Sequence, residues 1–370
     1  MRLLSDVTPL RESRQYRLLY AGELLAFVGS QLTVVAVPLQ VYLLTRSSLA
    51  VGLVGLAQLG PLLVCSLVGG AVVDAVDRRV LLVWVQLARG ALGVGLVANA
   101  LRPAPMLWPL YVLTAAAAGL QAVDMPARTA AIPSLVRREL LPAAAALHQI
   151  LMQVGLVAGP ALAGLVVARA GLAAAYGIEV AAFAAASLLA AALRPLPPGE
   201  GAARAGFASI REGLRFLRGR RALQGTFLID LNAMVFGMPR ALFPALGTGL
   251  FQGGPGTVGL LYAAPGAGAL LGALTAGWVG GVRRQGRAVL VAVTVWGAAI
   301  TVFGLVTWLP LALLLLAVAG AADVVSAVFA TPSSSSPCLT GCVAGWRRST
   351  SGWSPAAPAG RRRGRRGRRA

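Results

Sequence analysis

The sequence has no lysine and little charge of any kind for its length. Charged residues make up 12% of its 370 residues, and all 33 basic residues are arginines, against 12 acidic ones. Aromatic residues account for only 6%, whereas hydrophobic residues reach 57% and the mean hydropathy is +0.76. A soluble domain does not bury that much apolar surface in one core, so this composition excludes an ordinary soluble protein.

One histidine and three cysteines leave little material for a metal centre or a catalytic site. Cys65 lies in an apolar run, and Cys338 and Cys342 form a pair without further ligands. His148 begins another apolar run, where we predict a helix-packing role. No glycine-rich stretch carries the lysine of a nucleotide-binding loop. We therefore predict no enzyme activity, no catalytic residue, no metal site and no cofactor.

Ten long apolar runs fill most of the chain. A run of roughly 20 apolar residues spans a bilayer as a helix. The runs are continuously apolar rather than alternating, which favours helices over the strands of a barrel. The sequence therefore predicts an all-α polytopic membrane protein. The predicted spans are 18–44, 49–73, 79–101, 105–126, 143–168, 172–193, 222–247, 257–280, 287–308 and 310–330.

The distribution of arginine predicts how these spans are oriented. With the N-terminus in the cytoplasm, the inside loops hold most of the arginines, including Arg128 after span 4, and the outside loops hold only Arg46, Arg102 and Arg169. This arrangement satisfies the positive-inside rule. We therefore expect a multi-pass protein of the cell (inner) membrane. The net charge of +21 is explained by the arginines of the inside loops and of the C-terminal tail, so we expect no nucleic acid partner.

Six spans, a cytoplasmic linker and four more spans outline a transporter with two halves. We predict a cytoplasmic N-terminus over 1–17, a six-helix bundle over 18–193, a linker over 194–221, an incomplete C-terminal bundle over 222–330 and a disordered arginine-rich tail over 331–370. The linker contains either a basic amphipathic helix on the inner leaflet or a plain solvated helix.

A weak internal repeat supports the division into halves. Val51, Gly52 and Leu53 open span 2, and Val258, Gly259 and Leu260 open span 8. Repeats of this kind are typical of transporters built from two related halves.

The loop between spans 2 and 3 carries a glycine, an aspartate and two arginines at a fixed spacing. It resembles the loop signature G-x-x-x-D-[RK]-x-G-[RK]-[RK] of the major facilitator superfamily at Gly70, Asp74, Arg78 and Arg79, with Asp77 among the departures from the pattern. The glycine allows close helix approach, and the aspartate suits a neighbouring helix N-terminus.

Arg78 also needs a carboxylate partner at the cytoplasmic end of another span. Asp124, near the end of span 4, is the candidate that we predict.

Span 5 contains a second motif, built from small residues and one proline. Gly155, Gly159, Pro160 and Gly164 resemble the antiporter motif G-x-x-x-G-P-x-x-G-G of the same superfamily, with Ala163 in place of one glycine. Proline removes a backbone donor and bends a helix. A bent, closely packed span 5 would restrict leakage across a closed cavity.

Over roughly residues 10–329 the chain resembles the exporter branch that contains enterobactin exporters, macrolide efflux proteins and transmembrane secretion effectors. The resemblance implies two six-helix bundles, twelve spans in all, around a central cavity. It also implies export of small amphiphilic molecules, such as drugs, siderophores or secondary metabolites, by alternating access with proton antiport. Multidrug resistance is an associated expectation, and the lipid bilayer, protons and a small-molecule substrate are the implied partners.

Ionisable residues inside spans are costly and usually functional. The candidates for binding substrate or protons are Glu23, Arg89, Glu179, Asp230 and Arg240. We expect Asp230 to face the cavity, with Arg240 or Arg89 as its counter-charge, whereas Glu23 and Glu179 lie near span ends and could simply reach the interface.

Span 4 lacks the arginine that many drug–proton antiporters of the superfamily carry there. Arg89 of span 3 is the substitute that the sequence offers.

Beyond residue 330 the sequence changes to a basic segment in which no run could span a bilayer. One interpretation is an out-of-frame translation that removed spans 11 and 12, and we favour it. The other is a genuine tail that binds anionic lipid or nucleic acid by charge. The alternative function is accordingly a non-transporting membrane protein whose tail recruits partners.

Overall fold

The computed structural model describes residues 6–197, 239–275 and 285–330, and every regular element in these ranges is helical. Most of the predicted linker, Asp230 and the tail over 331–370 lie outside the described residues, so the expectations for them stay predictions.

The first half consists of five long helices preceded by one short one. Their bounds are α1 Thr8–Glu12, α2 Arg14–Thr45, α3 Ser48–Ala75, α4 Arg78–Ala100, α5 Trp108–Leu135 and α6 Leu141–Ala191, with a single 3-10 turn over Arg138–Leu140 before α6. Three of the helices begin at a capping side chain: Ser13, Ser47 and Asp77 accept hydrogen bonds from the backbone of α2, α3 and α4. Such caps satisfy donors that the first helical turn leaves free.

The long helix α6 is two arms joined at Gly171. This glycine has φ 81° and ψ 177°, a conformation that a residue with a Cβ rarely adopts. The first arm, over 141–170, and the second, over 172–191, correspond to the predicted spans 143–168 and 172–193.

The first arm of α6 runs parallel to α2. The Tyr16 hydroxyl donates to the Ala144 carbonyl and the Tyr20 hydroxyl to the Leu147 carbonyl. Further along both helices, the Gln31 amide donates to the carbonyl of Gly155. Because partners advance together along the two helices, the helices point the same way.

The second arm of α6 runs antiparallel to α2. Thr33 donates to Glu179 in this arm, and Tyr176, which comes earlier in the arm, donates to Gln40, which comes later in α2. Helix α2 is therefore enclosed between the two arms, which explains why so much of it is buried.

The described part of the second half contains three long helices. A helical turn over Phe243–Ala245 and a π-helical turn over Leu246–Leu250 precede α7 Gly254–Thr275, α8 Gln285–Phe303 and α9 Leu309–Ala330. Helix α9 packs on both α7 and α8, and α7 also packs on α6 of the first half. This contact between α6 and α7 joins the two halves.

Six helices in the described ranges are long and apolar enough to cross a membrane by length and composition. They are Arg14–Thr45, Ser48–Ser66, Arg78–Ala100, Arg138–Ala191 with its two arms, Gly254–Thr275 and Leu309–Ser326.

Helix α5 is longer than predicted span 4, because it continues past residue 126 to Leu135. The prediction that Arg128 lies in a loop was therefore wrong, since it is a buried helical residue. The cluster of polar residues after position 123 looked like the end of a span. Their charges instead satisfy one another inside the bundle.

Candidate functional site

A cluster of charged side chains is buried inside the first half. At its centre, Asp124 of α5 accepts hydrogen bonds from Gln86 Nε2 at 2.8 Å and from Arg128 Nε at 2.9 Å. Arg89 Nη1 of α4 lies 4.0 Å from the same carboxylate. All four residues are buried, and a buried charge is tolerated only when it is paired in this way.

Arg89 connects this centre to Glu179 in the second arm of α6. The guanidinium lies over the ring of Phe183, 4.3 Å from its centroid, and interacts electrostatically with both Asp124 and Glu179. Glu179 accepts a hydrogen bond from Thr33 of α2. Arg89 therefore lies between two carboxylates on different helices, and its Nε has no hydrogen-bond partner among the described residues.

A second acidic group of the cluster belongs to α2. Glu23 Oε1 lies 2.8 Å from Nδ1 of His148 in the first arm of α6. Glu23 also interacts electrostatically with Arg128 and Asp124, so it belongs to the same cluster. The cluster thus joins α2, α4, α5 and both arms of α6.

The structure brings together several residues that the sequence singled out separately. Glu23, Arg89, Asp124 and Glu179 all belong to the cluster. Arg240 does not: it is exposed at the start of the turn before α7, and its backbone oxygen accepts a hydrogen bond from Tyr262.

The sequence does not predict the contacts of Arg128 and His148. It predicts a loop position for Arg128, although the spacing of four residues from Asp124 is a detectable signal for a helical ion pair. It predicts a helix-packing role for His148, and no local signal links this residue to Glu23.

The predicted pairing of Arg78 with Asp124 was wrong. Asp124 takes its arginine partners from the interior of the bundle, Arg89 and Arg128. The backbone of Arg78 instead donates to the Leu196 carbonyl, and the side chain of Arg79 donates to the Ala191 carbonyl.

Gly70 and Asp74 lie in the last turns of α3. The predicted contact of Asp74 with a helix N-terminus stays a prediction.

Asp77, at a position where the loop signature has glycine, has a clear structural role. Its carboxylate accepts a hydrogen bond from Arg79 N at 2.8 Å and from Leu196 N at 3.1 and 3.2 Å. It therefore caps α4 and also attaches the segment that follows α6. An aspartate just before a helix was the signal for the cap.

The glycines of the antiporter motif face two different helices. A side chain at Gly155 or Gly159 would collide with Phe27 or Gln31 of α2. A Cβ at Gly164 would lie 2.8 Å from Gly259 Cα in α7. Small residues allow helix backbones to approach this closely, so the motif packs inside the first half and also against the second.

No cluster of three or more histidine, cysteine, aspartate or glutamate side chains with a metal-binding arrangement occurs in the described ranges. The charged cluster consists of buried carboxylates, a group that can carry a proton, and of buried guanidinium groups that balance their charge.

Comparison with known proteins places these features in a family. The family model for transmembrane secretion effectors matches residues 4–336. Enterobactin exporters EntS from Shigella boydii and from Escherichia coli are each 31% identical over 328 residues, which is 88% of this chain and 78% of theirs.

Solved structures agree on the fold. The structural match to the nucleoside transporter NupG covers 88% of this chain and 85% of the NupG chain, with a TM-score of 0.68 at 13% identity. The match to a bacterial homologue of the lysosomal transporter Spinster, in an inward-facing conformation, covers 85% of this chain and 74% of the homologue. Its TM-score is 0.61 at 16% identity. These relatives are membrane transporters. The chain therefore belongs to the transmembrane secretion effector family of the major facilitator superfamily, and it is a multi-pass membrane exporter.

Proposed function

We propose that this exporter moves small amphiphilic molecules, such as a drug, a siderophore or a secondary metabolite, out of the cytoplasm. It does so by alternating access, and protons enter in exchange. It resides in the cell (inner) membrane with its N-terminus in the cytoplasm. The two relatives described above are named as enterobactin exporters, so enterobactin is the first probe to test.

The observation that carries this proposal is the close contact between α6 and α7. A Cβ at Gly164 would also lie 2.9 Å from the Pro255 carbonyl oxygen, and a Cβ at Gly266 would lie 2.8 Å from the Leu156 carbonyl oxygen. At these glycines the backbones of the two helices meet directly, without a side chain of the glycine between them. Two rigid halves that meet at such a surface are suited to rock about it.

The charged cluster supports the exchange of protons. Glu23, Asp124 and Glu179 are buried acids within one half, next to two buried arginines. Ionisable groups buried at membrane depth commonly form proton relays in transporters. Asp230 remains the candidate that the sequence offers in the second half.

Export is tested in bacteria that lack their own efflux pumps, with release of enterobactin and accumulation of ethidium as the readouts. Cells that express the chain should release enterobactin faster or accumulate less ethidium than cells with an empty vector. The difference should disappear when the proton gradient is collapsed. A chain that is correctly inserted and changes neither probe contradicts export of this class of molecule.

A matched pair of glycine variants tests the α6–α7 contact. Gly164→Ala should lower the export rate by about tenfold or more, because the added methyl separates the halves and each 1.4 kcal/mol changes a rate tenfold. The control is Gly177→Ala, since nothing lies within 4 Å of a Cβ at Gly177. Equal export by the two variants, at equal abundance, would remove this contact from the mechanism.

A further inference from the structure

We propose that Glu23 and His148 together form the site that binds the exchanged proton, which places this site in the first half of the protein. The inference rests on the proton exchange proposed above. The sequence already offered Glu23 as one candidate for binding protons, but the hypothesis preferred there gave this role to Asp230, and His148 was not among the candidates.

The two groups of the pair are close enough to form an ion pair. His148 Nδ1 and Glu23 Oε1 are 2.8 Å apart, and Nδ1 is a buried atom that makes no hydrogen bond to any described residue. A proton on His148 therefore places a positive charge beside the Glu23 carboxylate. The His148 side chain is 23% exposed and that of Glu23 is 9% exposed, so the imidazole is the more accessible member of the pair.

The charge of the cluster leaves room for one more proton. Three carboxylates, those of Glu23, Asp124 and Glu179, face two guanidinium groups, those of Arg89 and Arg128. With all three carboxylates ionised and a neutral imidazole, the cluster would have one negative charge in excess, and an unbalanced buried charge is costly. One proton on the Glu23–His148 pair makes the cluster neutral.

The groups around the pair favour this location over the other carboxylates. Asp124 already accepts hydrogen bonds from Gln86 and Arg128, and Glu179 accepts one from Thr33. On α2, Tyr16 and Tyr20 interact electrostatically with Glu23, but their hydroxyls donate hydrogen bonds to carbonyl oxygens of α6 and not to Glu23.

Arg128 and Asp124 are the charged groups that face Glu23 from α5. Glu23 is therefore the carboxylate of the cluster whose close partner is itself titratable.

The position of the pair connects proton binding to the motion of the halves. His148 lies on the same arm of α6 as Gly164, about 24 Å away at 1.5 Å per residue. This arm contacts α2 through His148 and contacts α7 through Gly164. A change in the attraction between Glu23 and His148 therefore acts on the helix that joins the two halves.

The single histidine allows a direct test that requires no substrate. The full chain is produced with a tag free of histidine, labelled with ¹⁵N and ¹³C only in histidine, and placed in nanodiscs. Its one imidazole signal is followed by NMR from pH 4 to pH 9. In the wild type the signal should report a protonation change, and Glu23→Gln should move the midpoint of that change by about one pH unit or more.

Two further variants keep the test decisive. Glu139→Gln removes an exposed glutamate outside the cluster and should leave the midpoint where it is. If Glu23→Gln does not fold, Glu23→Asp retains the charge but shortens the side chain, and the midpoint must still move.

An imidazole signal that titrates identically in wild type, Glu23→Gln and Glu23→Asp overturns the proposal, as does a signal that does not change over the whole pH range. These outcomes are independent of the export assay. A titrating pair in a chain that exports neither probe would refute the proposed function and retain the proton site.

Discussion

The two halves of the protein bury very different surfaces. In the first half, five charged side chains are buried: Glu23, Arg89, Asp124, Arg128 and Glu179. In the described part of the second half, the charged residues are Arg240, Arg287 and Asp323, and all three are exposed.

The second half obtains close packing from glycine. A side chain at Gly268 would collide with the backbone of Ala317, and one at Gly320 would collide with the backbone of Pro265. Helices α7 and α9 therefore approach each other backbone to backbone at these glycines. The first half therefore packs around buried charges, whereas the described part of the second half packs through glycines and apolar side chains.

The largest effect is expected from removing one charge of the cluster. Arg89→Met removes the positive charge that lies between Asp124 and Glu179. Breaking a buried ion pair in this way costs about 3–5 kcal/mol. Thermal unfolding in detergent, followed by tryptophan fluorescence, should show a large drop in the midpoint or no folded protein.

The control for this prediction is Arg169→Met, because Arg169 is exposed near the kink of α6. If Arg89→Met unfolds at the same temperature as Arg169→Met, the first half does not depend on its buried charges.

A smaller effect is expected from overpacking the second half. Gly268→Ala places a methyl group against the Ala317 carbonyl, and overpacking of this kind costs about 1–3 kcal/mol. The same unfolding assay measures it.

Gly297→Ala is the matched control, because nothing lies within 4 Å of a Cβ at Gly297. Alanine is the better helix former by about 1 kcal/mol, so this variant should unfold at the same or a higher temperature. Equal destabilisation by both alanines would mean that α7 and α9 are not in close contact.

A buried hydrogen bond between neutral groups should matter less than the charges do. Tyr176 donates to Gln40 Oε1 at 2.7 Å between the second arm of α6 and α2. Tyr176→Phe removes this bond at a cost of about 1 kcal/mol. Tyr42 is a partly buried tyrosine of α2, so Tyr42→Phe serves as the comparison. It should change the unfolding midpoint less.

The smallest effect is expected at a surface ion pair of the first half. The Glu12 carboxylate is hydrogen-bonded to Arg137, and this contact raises the pKa of the guanidinium. Both side chains are exposed, so solvent screens the pair. Glu12→Gln should leave the unfolding midpoint unchanged within error at pH 7, and a clear loss would show that charges of this half stabilise it even at the surface.

The sequence predicted the helices well because long apolar runs are a strong local signal. It predicted the helix ends less well: Arg128 is predicted to follow span 4 in a loop, although its partner Asp124 lies only four residues before it in the same helix. The partnership of Glu23 with His148 joins residues that are far apart in the chain, so no local pattern could reveal it. Asp77 shows the opposite case, because its capping role follows from its position before α4.

The most direct test of the account uses purified protein in liposomes with an imposed pH difference. If protons exchange for substrate through the first half, an acidic lumen should drive ethidium uptake in the wild type, and Glu23→Gln should abolish the dependence on the pH difference. Uptake by Glu23→Gln that follows the pH difference as the wild type does would contradict the account.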